Sequence, residues 1–230
     1  MIKIEFVEIP NIKQKPQTRE ELFSVWNNIA KHPIEKRVRH YLNVFKNGTD
    51  EDIFGELAFC IFTPQSKALS CWKAVNVLDE KKLLVKGTCE EISESITGVR
   101  FQNNKAKFLV QAREKFLSNG KIKIKDFLKS FKNSRDLRNW IIKNIKGIGC
   151  KEAGHFLRNT GLGLDLAILD RHILRNLKFY NAIDDIPETL TAKIYSDIEQ
   201  KMIKFCNDIK IPMSHTDLLF WAMQTGGIFK

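Results

Sequence analysis

The sequence has 230 residues, 43% of them hydrophobic, enough to bury a core as one unit or two packed lobes and too few for a large array of modules. Lysine and arginine number 38 against 27 acidic residues, a formal charge of +11, which favours a polyanionic partner. Cys60, Cys71, Cys89, Cys150 and Cys206 stand singly with no CxxC pair, which argues against a disulfide framework or a zinc site.

The first residues, MIKIEFVEIP, lack the apolar core of a secretion signal, and no run of about 18 apolar residues is present to span a bilayer. A soluble, cytoplasmic monomer is expected, and no motif calls for a metal or other cofactor. Ile2, Ile4 and Phe6 alternate as in a strand or extended arm. Beyond them, apolar residues recur at three and four residue spacing, so the fold class expected is all-α. Thr63-Pro64-Gln65 reads as a helix start, with Thr63 as cap and Pro64 at the first helical position, leading into Ala68, Leu69, Trp72 and Val75. A second helix is expected from about Asn104 to Phe116, led by the polar loop Arg100 to Asn103. Further helices are expected near 124–132, 135–145, 151–159, 171–179, 191–209 and 215–224. The lysines between Lys121 and Lys132 are interleaved with Ile122, Ile124, Phe127, Leu128 and Phe131, the mark of a basic amphipathic surface.

The most informative segment is residues 137–159, LRNWIIKNIKGIGCKEAGHFLRN. Leu137, Trp140, Ile141 and Ile145 mark one helix face, and Ala153, Phe156 and Leu157 mark another. Between them, Gly147-Ile148-Gly149 permits a tight turn, after which the second helix opens with backbone N–H groups suited to a phosphate. An ordinary αα-hairpin has the same glycines at a helix end. Lys151 follows the turn by two residues, and Asp170 stands at the head of a further helix, where it can act as a cap and as an ionised carboxylate.

This segment resembles the helix-hairpin-helix motif of the DNA glycosylase superfamily, and the resemblance runs from about Phe54 to Lys230. It implies two helical lobes around a cleft, a single catalytic unit over 1–230 with the motif at 137–159, and Gly147 and Gly149 gripping the DNA backbone. In that superfamily a Lys at the place of Lys151 is the nucleophile of bifunctional members, and an Asp at the place of Asp170 assists it. The residues before Asp170, Ala167-Ile168-Leu169, depart from the frequent Gly/Val-Pro-Val form.

Gln65 resembles the Gln that endonuclease III relatives insert into the duplex, and Asn103 to Lys107 resembles a loop lying near the DNA in those proteins. The final stretch, SHTDLLFWAMQTGGIFK, is similar to the ending of the archaeal-type 8-oxoguanine DNA glycosylase/AP lyases that lack an iron-sulfur cluster. That likeness implies Asp217, Trp221 and Lys230 as base-recognition residues, and a partner in double-stranded DNA containing 8-oxoguanine. Ser214 to Asp217 also fits a capping box, and Trp221 also fits a core position. The expected activity is base excision repair: removal of 8-oxoguanine through a Lys151 Schiff base, then strand cleavage by β-elimination. A glycosylase for another damaged base and a non-catalytic DNA-binding module are the alternatives.

Overall fold

The computed structural model describes residues 6–9, 12 and 15–230. Strand β1 (Val7–Glu8) precedes α1 (Arg19–Val25), which Thr18 caps by accepting the Glu21 N–H. A π-helical stretch, Trp26–Ala30, carries the chain on into α2 (Lys31–Asn47). Thr49 and Asp52 form a reciprocal capping box at the head of α3 (Asp50–Phe62), whose residues from Ile53 to Phe62 are all buried. A helix apolar on every side belongs in the middle of a packed layer. The helices α4 (Ala68–Glu80), α7 (Gln102–Phe116) and α10 (Cys150–Asn159) pack around it.

The short α5 (Leu83–Lys86) and α6 (Cys89–Ser95) lie between α4 and α7. Strands β2 (Leu117–Ser118) and β3 (Lys121–Ile122) pair antiparallel through Asn119-Gly120, both left-handed with φ of 49° and 71°, as a two-residue hairpin turn requires. They lead to α8 (Lys125–Lys129) and α9 (Ser134–Asn144). The rest of the chain forms α11 (Arg171–Phe179), α12 (Ala192–Asp208), α13 (Met213–Thr225) and β4 (Gly227–Ile228).

Contacts divide the chain into two units, one spanning Leu42–Gly163 and the other joining the described part of 4–41 to Leu164–Lys230. In the first, Phe127 and Trp140 meet at 4.4 Å between ring centroids, with Phe116 and Phe131 against them. Buried Glu56 accepts a hydrogen bond from Asn159 Nδ2 at 3.1 Å. In the second unit Tyr180 stacks on Phe220 at 5.8 Å with rings 6° from parallel, and its hydroxyl donates to Pro16 O. β1 pairs antiparallel with β4, Val7 opposite Ile228 and Glu8 opposite Gly227, which joins the two ends of this unit.

Helices dominate as expected, and the two small ladders are the only strands among the described residues. Ile2 and Ile4 of the expected amino-terminal arm lie outside the described residues. Thr63-Pro64-Gln65 does not begin a helix: Thr63 ends α3, its hydroxyl donating to Cys60 O, and α4 starts only at Ala68. The Pro instead stands in a turn that Gln65 closes at φ 57°. Nor does Ser214 to Asp217 form a capping box; α13 begins at Met213 after Pro212, and these four residues are buried within it. The lysine-rich segment is amphipathic as expected, with Ile122, Ile124 and Leu128 buried and Lys121, Lys123, Lys129 and Lys132 exposed. Among the described residues no helix is long and apolar enough to cross a membrane.

Candidate active site

In the first unit, α9 and α10 form the hairpin read from the sequence. Gly147 has φ 81°, and a Cβ there would lie 2.6 Å from the Phe108 ring, so glycine is required twice over. Ile148 anchors the turn in the core at 6% exposure. Gly149 is extended and heads α10, and its N–H is given to the protein's own Glu152 Oε2 at 3.3 Å. The other carboxylate oxygen of Glu152 is 3.0 Å from Lys151 Nζ. The Lys151 side chain is 36% exposed and that of Glu152 13%, so the ammonium reaches solvent while its carboxylate partner is sheltered.

Lys105 in the first turn of α7 points inward and is 4% exposed. It donates to Phe62 O at 2.6 Å, Pro64 O at 2.7 Å and Ser66 Oγ at 3.0 Å. Burial lowers its pKa, partly opposed by Cys71 and Glu152. The segment Asn103 to Lys107 forms the first turns of α7, close to the helix start expected near Asn104, and through Lys105 it supports the Gln65 turn. Gln65 itself is exposed. Arg100 N donates to Ser66 Oγ, which joins this turn to Phe101, an aromatic 54% exposed with φ 58°.

In the second unit Asp170 caps α11, its Oδ1 accepting from the N–H groups of His172 and Ile173, each at 2.8 Å. The preceding run is fixed from behind: Glu199 accepts the Ala167 N–H at 2.8 Å, and the Tyr195 hydroxyl donates to Ala167 O and accepts from Leu169 N. These side chains fix Ala167-Ile168-Leu169 ahead of Asp170 without the proline of the related motif, and the Asp170 N–H turns back to Ile168 O at 3.0 Å.

His172 in turn meets Trp221 edge to face at 5.5 Å, which brings the half-buried indole to the first turn of α11. Asp217 lies one helical turn before Trp221 on α13 and is 7% exposed; Lys230 is 6% exposed. Lys151, Gly147, Gly149 and Gln65 thus belong to the first unit, and Asp170, Asp217, Trp221 and Lys230 to the second.

Residues 34–211 match the family model described as 8-oxoguanine DNA glycosylase. The chain belongs to the 8-oxoguanine DNA glycosylase family. It is 46% identical to the 8-oxoguanine DNA glycosylase/AP lyase of Fusobacterium nucleatum over 94% of this chain and 100% of that one. The 8-oxoguanine DNA glycosylase of Methanocaldococcus jannaschii superimposes with a TM-score of 0.80 at 36% identity, covering 92% of this chain and 95% of that one. A second structure of that enzyme is a complex with 15mer DNA containing 8-oxoguanine. The 3-methyladenine DNA glycosylase of Helicobacter pylori, 16% identical with a TM-score of 0.57, shares the fold.

Three side chains at the candidate site of this glycosylase are absent from the sequence reading. Glu152 is three residues past Gly149, the spacing of a capping partner, and that signal was readable. Phe101 sits in a stretch that reads as polar loop, and its exposure is visible only in the structure. Lys105 shares the helix face of Leu109, Ala112 and Phe116, a spacing that was readable, but only the structure shows the carbonyls of Phe62 and Pro64 that make burial of its charge possible.

Proposed function

We propose that in this 8-oxoguanine DNA glycosylase/AP lyase the Lys151 amine is the nucleophile and Asp170 the carboxylate that assists it. The observation that carries this reading is the placement of Lys151: a solvent-reaching ammonium in the first turn of a helix introduced by a glycine hairpin. The hairpin grips the strand through Gly147 and Gly149. The Gly149 bond to Glu152 is long for N–H to carboxylate, so a phosphate can take its place. The extruded 8-oxoguanine leaves a gap that Gln65 fills, and exposed Phe101 offers an aromatic face beside it.

Lys151 Nζ, once it has lost a proton, attacks C1′. The C1′–N9 bond breaks with its electron pair leaving on the base, and ring opening gives an imine between Nζ and C1′. Loss of a C2′ proton then expels the 3′ phosphate with the C3′–O bond pair, which cuts the strand. Asp170 Oδ1 accepts from two helix N–H groups, and the helix dipole complements a negative charge there. Its charge stabilises the positive sugar as the base departs. Asp217, Trp221 and Lys230 recognise the base, the indole by stacking on the purine.

Borohydride trapping tests this on a duplex containing 8-oxoguanine, set beside duplexes with an oxidised pyrimidine and an alkylated purine. A covalent product on 8-oxoguanine that disappears in Lys151→Gln is expected. Trapping that persists in Lys151→Gln would assign the nucleophile elsewhere.

A further inference from the structure

We propose that Lys105 is a positioning residue for base extrusion: its buried ammonium clamps both sides of the turn that presents Gln65. The proposal rests on the reading of Gln65 as the gap-filling side chain. An ammonium has three N–H donors, and all three are used, on the carbonyls of Phe62 and Pro64 and on Ser66 Oγ. These acceptors bracket Gln65, and Gln65 is held in the left-handed region at φ 57°, which a residue with a Cβ seldom occupies. Such a conformation persists only where its surroundings enforce it, and here the enforcing group is a charge 4% exposed.

Two further bonds converge on the same frame. Cys71 Sγ donates to Phe62 O at 3.2 Å, and Ser66 Oγ also accepts the Arg100 N–H. The second bond links the Gln65 turn to exposed, left-handed Phe101. One buried lysine therefore fixes the base of two protruding tips before any DNA arrives. Extruding a paired nucleotide costs unpairing and unstacking, and a preformed filler offsets that cost without ordering a loop at the moment of binding. A site that is already abasic has no base to extrude and gains little from the clamp.

The test compares the full-length protein with Lys105→Met, Lys105→Arg, Ser66→Ala and Gln65→Ala on two duplexes. One carries 8-oxoguanine opposite dC and is read by single-turnover excision; the other carries a preformed abasic site and is read by borohydride trapping. For Lys105→Met a loss of about 10-fold to 100-fold on the first duplex, with a change under about 3-fold on the second, is expected. Lys105→Arg should recover most of the loss, and Gln65→Ala should add little on top of Lys105→Met, since both act on one element. Equal losses on the two duplexes, or no loss on the first while Gln65→Ala loses, would overturn the proposal. Should Lys105→Met fail to fold, Ser66→Ala carries the same comparison with a smaller expected loss of about 3-fold. A wild-type protein that did not trap, or a Gln65→Ala variant as fast as wild type, would instead strike at the functional reading beneath it.

Discussion

The α9–α10 hairpin and the region around α11 and α13 are built in opposite ways. In the hairpin, turn, cap, anchor and Lys151 fall within five successive residues, Gly147 to Lys151, with Glu152 directly after. The second region draws on Asp170 and His172 from α11, Trp221 from α13, supports from α12, and the pairing of β4 with β1. Local geometry suffices to hold a phosphate, because every duplex presents the same backbone. Recognising one modified base takes a surface assembled from distant segments, since shape and donors must converge from several directions.

The variant expected to have the largest effect separates chemistry from grip. Lys151→Gln should lower excision by about 10³-fold or more while DNA affinity stays within about 3-fold, measured by single-turnover kinetics and binding titration. Asp170→Asn comes next. Asn caps a helix as well as Asp, so the melting temperature should hold while excision falls by about 10²-fold, a loss of charge alone. A matching fall in melting temperature would show that Asp170 acts mainly as a cap.

Gly147→Ala should break the grip: a left-handed φ and a 2.6 Å approach to Phe108 together cost about 1–3 kcal/mol. DNA affinity should fall by about 10-fold for damaged and undamaged duplexes alike, with a shallower dependence on salt. Gly227→Ala probes the other region. Its Cβ would lie 2.4 Å from Phe6 Cζ and 2.8 Å from Val7 O, forcing the β1–β4 ladder apart. Excision of 8-oxoguanine should fall by about 3-fold to 10-fold with trapping at an abasic site unchanged, because the ladder belongs to the unit proposed to recognise the base. Equal losses on both substrates would erase the distinction between the two regions.

The smallest effect concerns pH. Burial lowers the pKa of His215, Lys31 pulling the same way and Glu35 opposing, while the Trp26 indole N–H donates to its Nδ1 at 3.3 Å. The neutral ring is the one that fits the fold. Its contribution to stability is whole above the unfolded value of 6.5 and declines as pH falls below it, because the unfolded chain then binds a proton that the folded chain resists. Thermal melting from pH 8 to pH 5 should show this decline, and His215→Asn should flatten it.

Much of the local structure was legible because neighbouring residues mark it. The helices expected near 135–145, 151–159, 171–179 and 191–209 coincide with α9 to α12 to within a residue or two, since polar caps and apolar periods mark them. Thr63-Pro64 misled because a cap and a proline also suit the end of one helix and a turn; the choice was made by buried Lys105, whose donors need the carbonyls that a helix would have consumed. Ser214 to Asp217 misled in the same way, since burial of all four residues carried the helix past them.

By itself the sequence determined the hairpin glycines, Lys151 behind them and Asp170 at a helix head, because each acts through backbone geometry within a few residues. Only the tertiary structure decided what the inward-facing Lys105 of α7 binds, the carbonyls of Phe62 and Pro64 some forty residues earlier. It likewise decided that residues near the amino end pair with β4. Those outcomes depend on which distant segment meets an element, and helical or strand periodicity marks the covered face without recording the partner.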